Sequence, residues 1–168
     1  QAYMVDDPLV PGAAGWTPGG NLTWQSPGGD DVVAYAAEDA VPLPETVELL
    51  APAPGDRPPA ARDLSVRWTP RGEGAFVTVT LLRDLYSPTY IARVPDTGEH
   101  LVPGDVLHDA LGPGEVEVVV GRNLDTLLPH PQGEILLRTR EERRATVILL
   151  PDVVLDPPFG QPGEDVVV

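Results

Sequence analysis

Across residues 63–150, apolar and polar positions alternate in short runs, and Pro or Gly closes most of them. Leu64, Val66 and Trp68 alternate with Asp63, Ser65 and Arg67, which predicts a strand with one buried and one wet face. The turn-rich run PRGEG leads into a second strand, with Val77, Val79 and Leu81 on its buried side. YIARV is a third, and DTGEHLV supplies a turn and a short fourth. Val116, Val118 and Val120 mark a clean alternating strand after that. The final apolar runs, EILLRTR and RATVILL, read as a closing hairpin turned through Glu141, Glu142 and Arg143. The one helical candidate is PGDVLHDALGPG, with Asp105 as its cap and Gly112-Pro113 as its stop. It spans about two turns, which makes it a crossover rather than a layer of the fold.

Upstream, NLTWQS places Leu22 and Trp24 on one face, PGGD comes next as a turn, and DVVAYAA returns as the partner strand. ETVELL adds Val47 and Leu49 on one face. Residues 21–50 are too few for an independent core and are expected to pack on the downstream strands or on another subunit. Residues 51–60 (APAPGDRPPA) form a semi-rigid Pro-rich connector. An arm (residues 1–20) and a tail (residues 151–168) flank the sandwich, and Pro and Gly punctuate both too often for helix. The expectation is all-β: an immunoglobulin-like Greek-key β-sandwich over residues 21–150, with one short crossover helix and two extended termini.

Composition narrows the partners. The formal net charge is −15, so phosphate backbones and bare anionic membranes are repelled, and no apolar run is long enough for a transmembrane helix. The one basic cluster, Arg138, Arg140, Arg143 and Arg144, is broken by Glu141 and Glu142 and reads as an ion-paired hairpin tip. All eleven basic residues are Arg, as expected of a GC-rich genome or of salt adaptation. With no Cys, disulfide frameworks, zinc ribbons and thiol catalysis are excluded. Residue 1 is Gln, not Met, which suits a mature exported chain whose leader has been removed.

DLSVRWTP, FVTVTLL and VPDTGEHLVPGDVLHDALGPGEVEVVVGRN together resemble the immunoglobulin-like or fibronectin type III-like domains of secreted proteins and predicted lipoproteins from GC-rich bacteria. The resemblance covers residues 46–124. It departs at residues 91–94, where many relatives carry a Cys, and the lipid-attachment Cys is absent. It implies a sandwich fold and export, and little about activity.

No catalytic motif emerges. Ser26, Ser65 and Ser87 stand outside any nucleophile elbow. His100, His108 and His130 lack a metal-ligand spacing, and His100 with His108 would meet only if the helix folded back. The carboxylate doublets Asp6/Asp7, Asp30/Asp31, Glu38/Asp39 and Glu164/Asp165 do not match a calcium loop. The sequon Asn21-Leu22-Thr23 is read as chance, and Trp68 as core. No catalytic, metal or cofactor residue is therefore assigned. The preferred function is an exported, non-enzymatic structural protein that self-associates by exchanging β-strand arms, as in a filament or surface layer. The contact residues would be Tyr3, Met4, Val5, Leu9, Val10 and Trp16 in the arm, and Val166, Val167 and Val168 in the tail. The alternative is a monomeric secreted module that binds carbohydrate or peptide through an aromatic-lined hollow near residues 71–74 and 96–100. A hydrolase using two carboxylates is a third reading. An extracellular or cell-surface location fits the first two, with the periplasm as the other exported compartment.

Overall fold

The structure, a computed structural model, describes residues 17–31, 33–71, 74–84 and 87–151. The protein is predominantly β, with one short helix and open antiparallel sheets. β1 (Asn21–Ser26) and β2 (Tyr35–Pro42) pair as a hairpin. β3 (Leu49–Ala51), β4 (Leu64–Trp68) and β7 (Glu99–Val102) make a second sheet in the order β3-β4-β7. The third contains β5 (Phe76–Asp84), β6 (Ser87–Pro95), β8 (Gly114–His130) and β9 (Gly133–Leu149), in the order β6-β5-β8-β9.

The alternation read from the sequence builds the main core. Leu64, Val66 and Trp68 from β4 and Val102 from β7 meet Val77, Val79 and Leu81 from β5 and Val116, Val118 and Val120 from β8. Val147 and Leu149 of β9, with Leu107 and Leu111 from the crossover, close the same cluster. The odd-numbered residues between these positions face solvent in β4, as a two-faced sheet requires. The result is sandwich-like: one apolar layer held between the two larger sheets.

The crossover helix is α1 (Gly104–Val106), continued by a π-helical turn at Leu107–Leu111. Its stop is as expected: Gly112 takes φ 64°, a conformation that favours glycine. Its cap is not Asp105, whose carboxylate accepts only from the next N–H, that of Val106. Asp63 caps it instead, accepting from the Gly104 N–H at 2.8 Å across the fold. Gly104 is required there, because a Cβ would stand 2.7 Å from the Ala61 carbonyl oxygen.

Two expectations about turns are corrected. The return strand of the first hairpin starts at Tyr35, so its loop is longer than PGGD. The Pro-rich connector runs along β9, donating from Gly55 to Thr146, accepting from Ile148 and Leu150, and donating from Ala60 to Leu150. Most important, Glu141, Glu142 and Arg143 are not a turn. β9 passes straight through them, and β8 and β9 pair over all seventeen residues of each strand without a register shift. The turn lies at Pro131 and Gln132. The physical reason is that the charged triplet contains no turn former, while Arg and Glu two residues apart on the same face satisfy each other in an extended strand.

The long hairpin therefore outruns the sandwich. Beyond residue 123 its inner face carries Leu128, Ile135 and Leu137, and the β1–β2 hairpin covers them with Leu22, Trp24, Tyr35, Ala37 and Val41. The N-terminal segment thus packs on its own chain.

Candidate functional site

Two places concentrate polar groups, and both lie on the β8–β9 hairpin. The first is a buried joint where the hairpin leaves the sandwich. Val116, Val118 and Val120 set the inner face of β8, and the same period places Arg122 on it. Its side chain is 2% exposed and its partner Asp96 is 0% exposed, with Nε 2.8 Å from Oδ2. Asp96 also accepts from the Trp68 indole N–H at 2.7 Å. The Arg122 guanidinium donates further to the carbonyls of Glu45 and Thr46, both at 3.0 Å, and to that of Thr69.

Glu141 stands directly across the ladder from Arg122. Its Oε2 accepts from the Val47 N–H at 2.8 Å. Its Oε1 lies 2.5 Å from Arg143 Nη1, an ion pair without hydrogen-bond geometry. Burial pushes the Glu141 carboxyl above the usual range, and the Val47 N–H and Arg143 only partly offset this. Together Arg122 and Glu141 bind two successive peptide groups, through the Glu45 and Thr46 carbonyls and the Val47 N–H. They fix the segment that joins the N-terminal hairpin to the sandwich.

The second place is the free side of β9. Thr146, Ile148 and Leu150 turn their backbone groups away from β8 and toward the connector. With an unbroken register, the period of two puts Glu134, Leu136, Arg138, Arg140, Glu142 and Arg144 in the same orientation. β9 ends its sheet, and among the described residues no strand pairs with this side over residues 134–144. That is an open edge about 34 Å long at ~3.4 Å per residue. No Pro or Gly interrupts it, whereas the opposite edge strand, β6, carries Pro88 and Pro95. The Glu142 carbonyl takes a side-chain donor from Arg143.

Three of the six side chains of this edge row are Arg and two are Glu. Arg138 is bound bidentately by Asp125, at 2.6 and 2.9 Å, which holds the Asp125 carboxyl below its usual range. Arg93 lies 3.6 Å above the Phe76 ring and 3.6 Å from Asp125. Arg140 and Arg144 share the Glu142 carboxylate at 3.1 and 2.5 Å, and Arg144 also reaches Glu117. Gly121 lies beneath Arg140, and a Cβ there would collide with the guanidinium. The basic cluster is thus ion-paired as expected, but along a strand rather than at a tip.

The other candidates separate. His100 lies in β7 rather than on a turn, and its Nε2 is 2.8 Å from the Tyr90 hydroxyl. Burial lowers the His100 pKa and raises that of Tyr90. His108 stands beside Asp109, and His130 packs its ring on Tyr35. Among the described residues no three His, Asp or Glu side chains converge as metal ligands would. Ser65 is exposed in β4, and Trp68 is in the core. At the loop end, Thr46, Glu48, Thr69, Pro70 and Arg71 line an open hollow of about 290 Å³ that contains no aromatic ring. Tyr3, Met4, Val5, Leu9, Val10, Trp16, Val166, Val167 and Val168 all lie outside the described residues, as do Asp6/Asp7 and Glu164/Asp165. Among the described residues no helix is long and apolar enough to cross a membrane.

Sequence reasoning missed Arg122, Asp96 and the open edge. The signal for Arg122 was present: it continues the inward period of three valines. Comparison with models of known families, with curated proteins and with solved structures finds no match to this chain.

Proposed function

We propose that this chain is a non-enzymatic assembly module which joins its neighbours by β-strand addition at the open edge of β9. The observation that carries the reading is the row of outward backbone groups over residues 134–144, with which no strand pairs among the described residues; within it the Glu142 carbonyl accepts from the Arg143 side chain. Such a row is a template for an extended segment, whose main-chain bonds supply affinity while side chains choose the partner. The charged row discourages pairing with uncharged strands and so limits indiscriminate aggregation. Both termini, with Tyr3 to Val10 on one side and the valines at 166–168 on the other, contain short β-prone segments suited to donation.

The finer fold reading is an immunoglobulin-like or fibronectin type III-like sandwich. It is supported by the orders β3-β4-β7 and β6-β5-β8-β9, in which sequential strands switch sheets, and by Trp68 buried against the central strands. Export to the cell surface follows from the same resemblance. The alternative of a carbohydrate-binding hollow draws less support, because among the described residues the hollow at Arg71 offers no ring for stacking.

The test is the molar mass by light scattering of the unmodified chain and of Arg140→Pro. Proline at an outward position of an edge strand spares the β8–β9 ladder but blocks an added strand. The expected result is an oligomer that Arg140→Pro reduces to a monomer with an unchanged unfolding midpoint. A monomeric unmodified chain would overturn the reading.

A further inference from the structure

We infer that the strand added to β9 is residues 152–156 of a second copy, so that each molecule passes its tail to the next. The inference rests on the strand-addition reading above and names its donor. Residues 152–156 read Asp-Val-Val-Leu-Asp, with no Pro or Gly inside. In an extended segment Asp152 and Asp156 share one face, four residues apart. On the edge of β9, Arg140 and Arg144 also share one face, four residues apart. Placing Val154 beside Glu142 sets each Asp against one of these two Arg, whichever way the added strand runs.

Arg138 does not compete for this role, because Asp125 already holds its fork. Arg140 and Arg144 divide the Glu142 carboxylate between them, and their side chains remain 40% and 47% exposed. Each guanidinium has five donors, so Arg140, paired with Glu142, can take a second carboxylate, and Arg144, paired with Glu142 and Glu117, a third. Exposed ion pairs add little affinity but choose register and partner; the main-chain bonds supply the hold.

Reach excludes the molecule's own tail. Asp152 follows Leu150 by two residues, a span of at most ~7 Å. Arg144 precedes Leu150 by six residues along β9, ~20 Å away at strand spacing. The edge between them is also taken, since the connector bonds to Thr146, Ile148 and Leu150. A tail that turned back would meet the connector before the open edge. A second copy meets no such obstacle, and its donation leaves its own edge free for a third. Such head-to-tail contacts close into a ring or continue as a filament.

The experiment uses two full-length variants. Arg140→Pro removes the acceptor and keeps the donor; Val154→Pro removes the donor and keeps the acceptor. Each alone is expected to be monomeric, and an equimolar mixture to form a 1:1 dimer and nothing larger. The double change Arg140→Asp/Arg144→Asp is expected to weaken assembly at least tenfold, and adding Asp152→Arg/Asp156→Arg in the same chain to restore it. If Val154→Pro assembles like the unmodified chain while Arg140→Pro does not, strand addition stands and the tail is not the donor. If Arg140→Pro assembles normally with an unchanged unfolding midpoint, both readings fail. Absence of rescue by the charge exchange would overturn the register.

Discussion

The two ends of the β8–β9 hairpin support cores of different quality. At the sandwich end, Val66, Val77, Val79, Val118, Val120 and Val147 are fully enclosed, and Trp68 is tied to the buried Asp96–Arg122 pair. At the outer end, among the described residues of the cluster, only Ala37, Val41 and Leu128 are buried, and Trp24, Tyr35 and Ile135 are half-covered. The outer hairpin also leaves Leu127 and Leu136, a cross-strand pair, 56% and 60% exposed on its far side. The same two strands thus run from a three-dimensional core into a thin two-layer contact. Secondary structure alone does not set local stability; the number of sides from which water is excluded does.

The largest test of this contrast is Trp68→Ala. It removes the biggest enclosed side chain and strips one partner from Asp96, so a loss of about 3–5 kcal/mol is expected in chemical denaturation. Next is Arg122→Ala, which strands a fully buried Asp96 and frees the carbonyls of Glu45, Thr46 and Thr69. Breaking a buried pair from one side costs about 3–5 kcal/mol, and part of the loss should appear as early exchange of β1–β2 amides. If those amides kept their protection to the global limit, Arg122 would not be the tie between the two regions.

Leu128→Ala should cost less, about 2 kcal/mol at the low end for such a truncation, because its surroundings are partly wet. Hydrogen exchange should show the β1–β2 hairpin opening sooner while the sandwich midpoint hardly moves. A matching fall in the sandwich would mean that the two cores unfold as one unit. The smallest effect is a pH slope at the joint. Glu141 has a raised pKa, so the folded chain keeps its proton where the unfolded chain has released it. Its contribution is therefore most favourable at low pH and is lost as pH rises from the usual carboxylate range through the folded value. Glu141→Gln should remove that slope, read as unfolding midpoints across a pH series. Asp125, with a lowered pKa, works with the opposite sign: its share is present above the usual range and lost as pH falls. A wild-type profile unchanged by Glu141→Gln would show that Arg143 neutralises the buried charge fully.

The strands of the main core were legible because they alternate strictly. Val77, Val79 and Leu81, like Val116, Val118 and Val120, announce both strand and face. The outer half of the hairpin was obscured because Leu127, Leu136 and Pro129 break the two-faced pattern of Leu128, Ile135 and Leu137. At residues 141–143 a run of charge imitates a turn, although no turn-forming residue stands there. The joint depends on Asp96, Arg122 and Glu45 meeting from distant places in the chain. The open edge depends on which strand ends a sheet and on where the connector stops. Neither property is local, and one sequence does not display them.

The unbroken β8–β9 ladder bears on what such a molecule can carry. If pull enters along β9 from a strand laid beside it, the load runs parallel to the strand axis. The hydrogen bonds between β8 and β9 then resist together in shear, instead of opening one at a time from an end. A seventeen-residue strand spreads that tension far beyond the sandwich that anchors it. The weak outer contact with β1–β2 lies beside this line of force and not across it, so it can yield without parting the two long strands.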